Sequence, residues 1–311
     1  MPFSLTILGC SSALPTSKRF TTAHLLNVDE RFFLIDCGEG TQIQLRKYKI
    51  KFGKINHIFI SHLHGDHIFG LWGLISSFSI LSRTNDLHIY ASYEIENIVS
   101  NHLIYHENHL TFKIVYHYLN CKKSKRIYED EKCLVETFPL KHRIPTYGFL
   151  FKEKPKMRNI KKELLELYKI PICEIVKIKQ GADFITEEGK IIPNEELTYA
   201  PYKPRTYAYC SDTLYTESII SKIKNVDLLY HEATYMHDLV KKAEKTFHST
   251  TIQAATIAKK ANVKKLLIGH FSARYKNTKL LLEEAKKVFN NTVAVEDGDS
   301  YSIELHRDNN M

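Results

Sequence analysis

His62-Leu63-His64-Gly65-Asp66-His67 places four potential metal ligands within six residues, and its flanks say where they stand. Before it, Ile55-Asn56-His57-Ile58-Phe59-Ile60 reads as a buried strand; after it, Ile68 to Leu81 reads as an apolar helix. The ligands are therefore expected on a tight loop at a strand end, unlike His-Glu-x-x-His, where two ligands share a helix face. Borderline metals such as zinc favour neutral imidazoles plus a carboxylate at short, fixed distances. Neighbouring ligands face different ways, so one such loop can serve two adjacent ions. Gly65 is expected to leave room for the backbone to turn beside them. The plainer alternative is a polar loop that happens to be rich in histidine; three histidines and an aspartate at this spacing count against it.

The chain has 311 residues and is 43% apolar, ample for a folded core in one large domain or two ordinary ones. Lys and Arg outnumber Asp and Glu by 44 to 35, a net charge of +9, which suggests an acidic partner, nucleic acid before membrane surface. The six cysteines, Cys10, Cys37, Cys121, Cys133, Cys173 and Cys210, form no Cys-x-x-Cys pair. Reduced thiols in a cytoplasmic protein account for them most simply. Leu5 to Cys10 faintly resembles a lipoprotein cleavage site, but no positive segment precedes it and the apolar run is short. A first strand is expected there, and no stretch is long and apolar enough to span a membrane.

Strands are expected at Phe3–Leu8, His24–Val28, Arg31–Ile35, Leu87–Ala91, Phe112–Leu119, Leu134–Thr137 and Tyr147–Phe151, with helices at Thr41–Tyr48 and Tyr93–His106. Later come strands at Thr206–Cys210, Val226–Tyr230, Lys265–Ile268, Thr292–Val295 and Tyr301–Leu305, and helices at Glu217–Lys224, Thr250–Ala261 and Lys279–Phe289. Such a mixed α/β order fits two packed sheets with helices outside. Residues from about 152 to 200 break the pattern. From Lys152 to Lys179, nine basic residues face four acidic ones, and Pro155, Pro171, Pro193, Pro201 and Pro204 punctuate the region. This segment reads as an insertion projecting from a single domain, with the apolar patch Leu164-Leu165-x-Leu167-Tyr168 giving it some internal structure.

Three further residues follow apolar strands: His142 after Leu134–Pro139, Asp212 after Tyr207-Ala208-Tyr209-Cys210-Ser211, and His270 after Leu266-Leu267-Ile268-Gly269. With the first loop they make seven ligands, enough for two ions sharing Asp212 as a bridge.

At this point the chain resembles the metallo-β-lactamase superfamily, and within it the tRNase Z family of tRNA 3′-processing endonucleases. The superfamily motif His-x-His-x-Asp-His is His62 to His67. The family's versions of the other motifs are Leu34-Ile35-Asp36-Cys37-Gly38-Glu39-Gly40-Thr41-Gln42, Pro139-Leu140-Lys141-His142-Arg143-Ile144-Pro145, Ser211-Asp212-Thr213 and Gly269-His270-Phe271-Ser272-Ala273-Arg274-Tyr275. His231-Glu232-Ala233-Thr234 and His248-Ser249-Thr250 separate this family from lactonases and β-lactamases. The resemblance implies an αββα sandwich with a basic, flexible arm, residues 1–311 forming one domain. It implies one metal on His62, His64, His142 and Asp212 and a second on Asp66, His67, Asp212 and His270, two zinc ions per subunit with manganese as the alternative. It implies water activated by the ion pair for in-line attack on a precursor tRNA, Asp66 as general base, and His248 as proton donor oriented by Glu232. Cleavage after the discriminator nucleotide would leave a 3′-hydroxyl on the tRNA and a 5′-phosphate on the trailer. RNA contacts would fall on Lys18, Arg19 and Arg274 near the site and on Lys154, Lys156, Arg158, Lys161 and Lys162 in the arm. A homodimer is implied as well.

Two segments depart from the family pattern. The arm reads Ile170-Pro171-Ile172-Cys173-Glu174 without the Gly-Pro pair of many bacterial relatives. The loop Pro-x-Lys-x-Arg-Asn, which helps sense a CCA end, is here Pro15-Thr16-Ser17-Lys18-Arg19-Phe20. The rival expectations are a small-molecule phosphodiesterase or other hydrolase of the same fold, and a non-catalytic RNA-binding protein.

Overall fold

A computed structural model describes residues 1–104, 110–120 and 122–307. Cys121 and the Tyr105–His106 end of the expected third helix lie outside the described residues. Two compact units are distinguished: Met1–Lys152 with Thr206–Ile303, and Glu153–Arg205 with residues 304–307.

The larger unit holds two seven-stranded sheets. In the first, the spatial order is Ser300–Ser302, Phe3–Gly9, Ala23–Val28, Arg31–Ile35, Ile55–Phe59, Leu87–Ala91, Ile114–Tyr118. In the second it is Thr292–Ala294, Lys265–Gly269, Leu228–Glu232, Thr206–Cys210, Tyr147–Glu153, Cys133–Pro139, Lys125–Glu129. Each sheet joins antiparallel strands to a parallel half: Arg31–Ile35 through Ile114–Tyr118 in the first, Thr206–Cys210 through Thr292–Ala294 in the second.

The inner faces meet in a largely aromatic core that includes Phe33, Phe59, Phe149, Phe151, Tyr207, Tyr209 and Tyr230. Leu71, Leu74, Ile75 and Phe78, at helical spacing, cover the outer face of the first sheet. Ala254, Ala255, Ile257 and Ala258 of the helix Thr251–Lys260 cover the second. That helix starts at a capping box in which Thr250 and Gln253 satisfy each other's amides. Its small residues let it lie close to the strands. The αββα architecture is thus present, and both sheets are buried on two faces.

Several expected elements differ. The Ile68–Leu81 helix is two, Gly65–Ile68 and Leu71–Ile80. Gly70 lies between them because its Cα packs on the Gly38 carbonyl, where an added Cβ would come within 2.0 Å. The expected helix Glu217–Lys224 is one short turn, Glu217–Ile219. The Val226–Tyr230 strand runs instead from Leu228 to Glu232, because parallel pairing with Lys265–Gly269 carries it two residues further. The strand Lys125–Glu129 and the helix Val240–Thr246 were not expected; both have mostly charged, half-exposed sequences that leave little periodic signal.

The second unit has its own small core of Ile170, Ile178, Phe184, Ile192 and Leu197, with Leu164, Leu165 and Tyr168 packed on it and Leu167 exposed. Asn194 braces it, donating to the carbonyls of Ile178 (2.6 Å) and Ala182 (2.7 Å). At its ends the buried guanidinium of Arg205 forks onto Glu153 at 2.9 and 2.8 Å.

Candidate active site

The parallel strands of both sheets deliver the candidate residues. Ser61 and His62 follow the strand Ile55–Phe59, Asp212 follows Thr206–Cys210, Glu232 ends Leu228–Glu232, and His270 follows Lys265–Gly269. In open α/β sheets the carboxyl ends of parallel strands are where side chains can converge without disturbing the ladder. The run His62–His67 is not one loop. His62 and Leu63 have no regular secondary structure and His64 is extended, while Asp66 and His67 sit on the single helical turn Gly65–Ile68. The space at Gly65 is taken by the Phe69 ring, 2.3 Å from where a Cβ would lie.

All seven predicted ligands converge. His62 Nε2 and His142 Nε2 lie 3.0 and 3.3 Å from His64 Nδ1, and 3.5 and 3.9 Å from Asp212 Oδ2. On the other side, His67 Nε2 and His270 Nε2 lie 3.5 and 3.2 Å from Asp212 Oδ1, and 3.5 and 3.3 Å from Asp66 Oδ2. Each Asp212 oxygen thus faces a different set of histidines. Ligand atoms of His62, His64, His142 and Asp212 form one group close enough to hold a cation, and those of Asp66, His67 and His270 form another.

The donor set fits a metal. His67 Nε2 and Asp212 Oδ1 are buried, and neither has a hydrogen-bond partner among the described residues. Buried polar atoms are rarely left so, and a shared cation would satisfy both. Burial holds the His62 imidazole below its usual range, in the neutral form that ligates. Asp212 stays ionised in spite of burial because His270, His67 and His248 surround it.

The far nitrogens of the ligands are held in place. His67 Nδ1 meets Asp36 Oδ2 at 2.8 Å, His62 Nδ1 meets Ser61 Oγ at 3.0 Å, His142 Nδ1 meets the Phe247 carbonyl at 2.8 Å, and His270 Nδ1 meets Thr234 Oγ1 at 2.9 Å. Such partners fix ring orientation and tautomer. Two of them need backbone in the left-handed region: Asp36 has φ 56° and Phe247 φ 61°. Asp36 also accepts from Ser61 and, at 2.5 Å, from the Tyr209 hydroxyl. Sequence reasoning gave these supporting groups no role. Asp36 could have been marked, since a carboxylate ending a buried strand needs partners; the Phe247 carbonyl leaves no signal in sequence.

Beside the cluster, Glu232 is buried and accepts from the amides of Thr213, Thr234 and Ser249 and from the Thr234 hydroxyl. Its Oε1 lies 3.2 Å from His248 Nδ1, which is 3.8 Å from Asp212. Burial opposes charge on His248, but Glu232 and Asp212 outweigh it and raise its pKa to about 9. A cavity of about 290 Å³ opens over the cluster, with Ala13, Asp66, Tyr235, His248 and Ala273 on its walls.

The expected RNA contacts divide. Lys18 and Arg274 are exposed, Arg274 lying over the Tyr235 ring on the cavity wall. Arg19, expected beside them, is instead 4% exposed: its guanidinium donates to the Tyr275 carbonyl and lies over the Phe271 ring. In the second unit Lys162 is exposed; Lys154, Lys156, Arg158 and Lys161 are half-buried, with Lys156 paired to Glu153 and Arg158 bonded to Thr198. Sequence reasoning missed three exposed cations close to the cavity wall. Lys242 lies over the Tyr235 ring, and Arg143 donates to the carbonyl of Lys245.

Residues 3–158 match the family described as anti-Pycsar protein Apyc1. Over its full length the chain is similar to curated ribonuclease Z proteins: 49% identical to that of Phocaeicola vulgatus, covering 97% of this chain and 98% of the relative, and 48% identical to that of Bacteroides thetaiotaomicron, covering 98% and 97%. Among solved structures, the short form of human tRNase Z is 27% identical and superposes with a TM-score of 0.71, covering 97% of this chain and 99% of that one. With both halves matched at this identity, the chain belongs to the ribonuclease Z family and has the metallo-β-lactamase fold.

Proposed function

We propose that this protein removes the 3′ trailer from precursor tRNA, cutting after the discriminator nucleotide. One observation carries the reading: a complete two-group ligand set, bridged by Asp212 and flanked by the Glu232–His248 pair, in a chain nearly half identical to ribonuclease Z proteins from end to end. His62, His64, His142 and Asp212 would hold one divalent ion, and Asp66, His67, Asp212 and His270 the other. Zinc suits the nitrogen-rich set best, with manganese second. When bound, the ions supply Lewis acidity, which lowers the pKa of water and offsets charge on the scissile phosphate.

The side chains do the rest. Asp66 accepts the proton of the attacking water. His248 is held protonated by Glu232 through Nδ1, which leaves Nε2 to protonate the departing 3′ oxygen. Loss of the Glu232 carboxylate would remove both the orientation and the charge of that donor. Arg274, Lys18 and the cations of the 153–205 unit neutralise RNA phosphates without reading sequence. That unit acts as an arm inserted into one catalytic domain. The protein works in the cytoplasm as a homodimer. Among the described residues no helix is long and apolar enough to cross a membrane.

The test is cleavage of an end-labelled precursor tRNA by metal-loaded protein, beside His64→Ala and a chelator control. A single cut at the discriminator, lost in both controls, is expected. Intact RNA together with fast hydrolysis of bis(p-nitrophenyl) phosphate would sink the reading in favour of a small-molecule phosphodiesterase. RNA binding without any hydrolysis or bound metal would favour a non-catalytic binder.

A further inference from the structure

The acidic turn Glu296-Asp297-Gly298-Asp299 plays no part in the chemistry above, yet it is built into the fold beside the site. It closes on itself, Glu296 N donating to Asp299 Oδ2 at 2.9 Å, and sits on the first strand through Gly298 N to Ile7 O (2.7 Å) and Ile7 N to Asp299 O (2.9 Å). From this turn Asp297 reaches inward. Its Oδ1 accepts from the amide of Cys10 at 3.1 Å; its Oδ2 accepts from the amide of Phe20 at 2.7 Å and stands 3.4 Å from Gln44 Nε2.

Cys10 and Phe20 are the two ends of one loop. Ser11 N donates to Phe20 O at 2.9 Å and closes the neck; Ser12 N and the Phe271 amide tie the same strand end to the segment after His270. Within the loop, Ala13 has φ 47° and its amide donates to Asp66 Oδ2 at 2.7 Å. Ser12, Ala13 and Leu14 line the catalytic cavity, and Leu14 and Lys18 are exposed.

We propose that Asp297 is a positioning residue: by gripping both ends of the 11–19 loop it sets how that loop meets the RNA strand at the catalytic cavity. The inference rests on the precursor tRNA reading for its substrate, but not for the clamp itself. A carboxylate is needed because two amide donors from separate chain segments meet two different oxygens. An asparagine offers one acceptor and turns an NH₂ toward the other amide, leaving a buried donor unsatisfied. Burial raises the pKa of the Asp297 carboxyl to about 6, so the charged form is held there at a cost that a solvated aspartate would not carry.

The test uses full-length, metal-loaded Asp297→Asn, with three readouts. With precursor tRNA, kcat/KM should fall about tenfold, and several-fold more than hydrolysis of bis(p-nitrophenyl) phosphate, because a small ester shares only the Ala13–Asp66 contact with the loop and does not reach its exposed Leu14 and Lys18. Tryptic cleavage after the exposed Lys18 should speed up several-fold, beyond the change that the lost hydrogen bond brings to other exposed lysines through overall stability. Equal losses on both substrates together with a lowered melting temperature would overturn the proposal and leave Asp297 a stability residue; so would unchanged rates on both. If the variant does not fold, hydrogen exchange on the unaltered protein decides: the Cys10 and Phe20 amides should be protected, and free exchange at either would remove the clamp. A wild-type protein inert toward precursor tRNA would instead reject the functional reading, with the exchange result still judging the clamp.

Discussion

Asp36 Oδ2 lies 2.8 Å from His67 Nδ1, and the same carboxylate receives the Tyr209 hydroxyl and two bonds from Ser61. One buried residue thereby joins a ligand of the first sheet to a strand of the second. Asp36→Asn is the informative change, because asparagine tolerates the left-handed backbone that Asp36 adopts. It should weaken divalent-metal binding about 10- to 100-fold, in line with other partners of metal-bound histidines. Competition with a chromophoric chelator would measure this; unchanged affinity would mean that Ser61, whose Oγ lies 3.5 Å from His67 Nδ1, suffices to orient that ring.

His248 is protonated through the neutral range because Glu232 and Asp212 outweigh its burial. A raised histidine pKa keeps the donor form below about 9 and loses it as pH rises beyond. Cleavage of precursor tRNA should therefore decline on the alkaline side near pH 9. In Glu232→Gln that decline should move to lower pH, and His248→Ala should lose about 10²–10⁴-fold in kcat. A pH–rate profile that keeps its alkaline limb in Glu232→Gln would take the proton-donor role away from His248.

Arg19 and Lys18 are neighbours with different work. Arg19→Ala removes a buried guanidinium bonded to the Tyr275 carbonyl, and should lower unfolding stability by about 1–3 kcal/mol in urea titration. Lys18→Ala should leave stability within about 0.5 kcal/mol and raise KM for precursor tRNA. The reverse pattern would restore Arg19 to the RNA surface.

Lys162 is exposed and Lys161 lies over the Tyr199 ring in the 153–205 unit. Reversing both to glutamate should raise KM for precursor tRNA and flatten its salt dependence by about one to two contacts in a log–log plot. Hydrolysis of bis(p-nitrophenyl) phosphate should not change. An unaltered salt slope would show that the unit does not grip RNA through these residues.

The sequence made the ligands easy to read because each follows an apolar strand, where a polar residue stands out. Strand edges were legible wherever alternation or an apolar run was clean, as at Arg31–Ile35 and Leu87–Ala91. The Gly65–Ile68 turn was hidden because the ligand spacing alone resembles a loop, while the break at Gly70 depends on the distant Gly38 carbonyl. The burial of Arg19 was hidden because a loop arginine in a basic chain looks solvated; only the fold shows that Tyr275 lies within its reach. The Phe247 carbonyl and the Ala13 amide are backbone groups, and no residue identity announces them.

Asp212 offers one oxygen to histidines that include His62 and the other to a pair that includes His270, so the candidate ligands come from both halves of the sandwich. Ions seated there would act as cross-links between the two sheets as well as reagents. Binding to the folded form alone adds about 2.7 kcal/mol of stability at a hundredfold excess over Kd. A cell short of metal would then hold less of this protein, and not only an idle form of it, since the emptied chain unfolds and is degraded more readily.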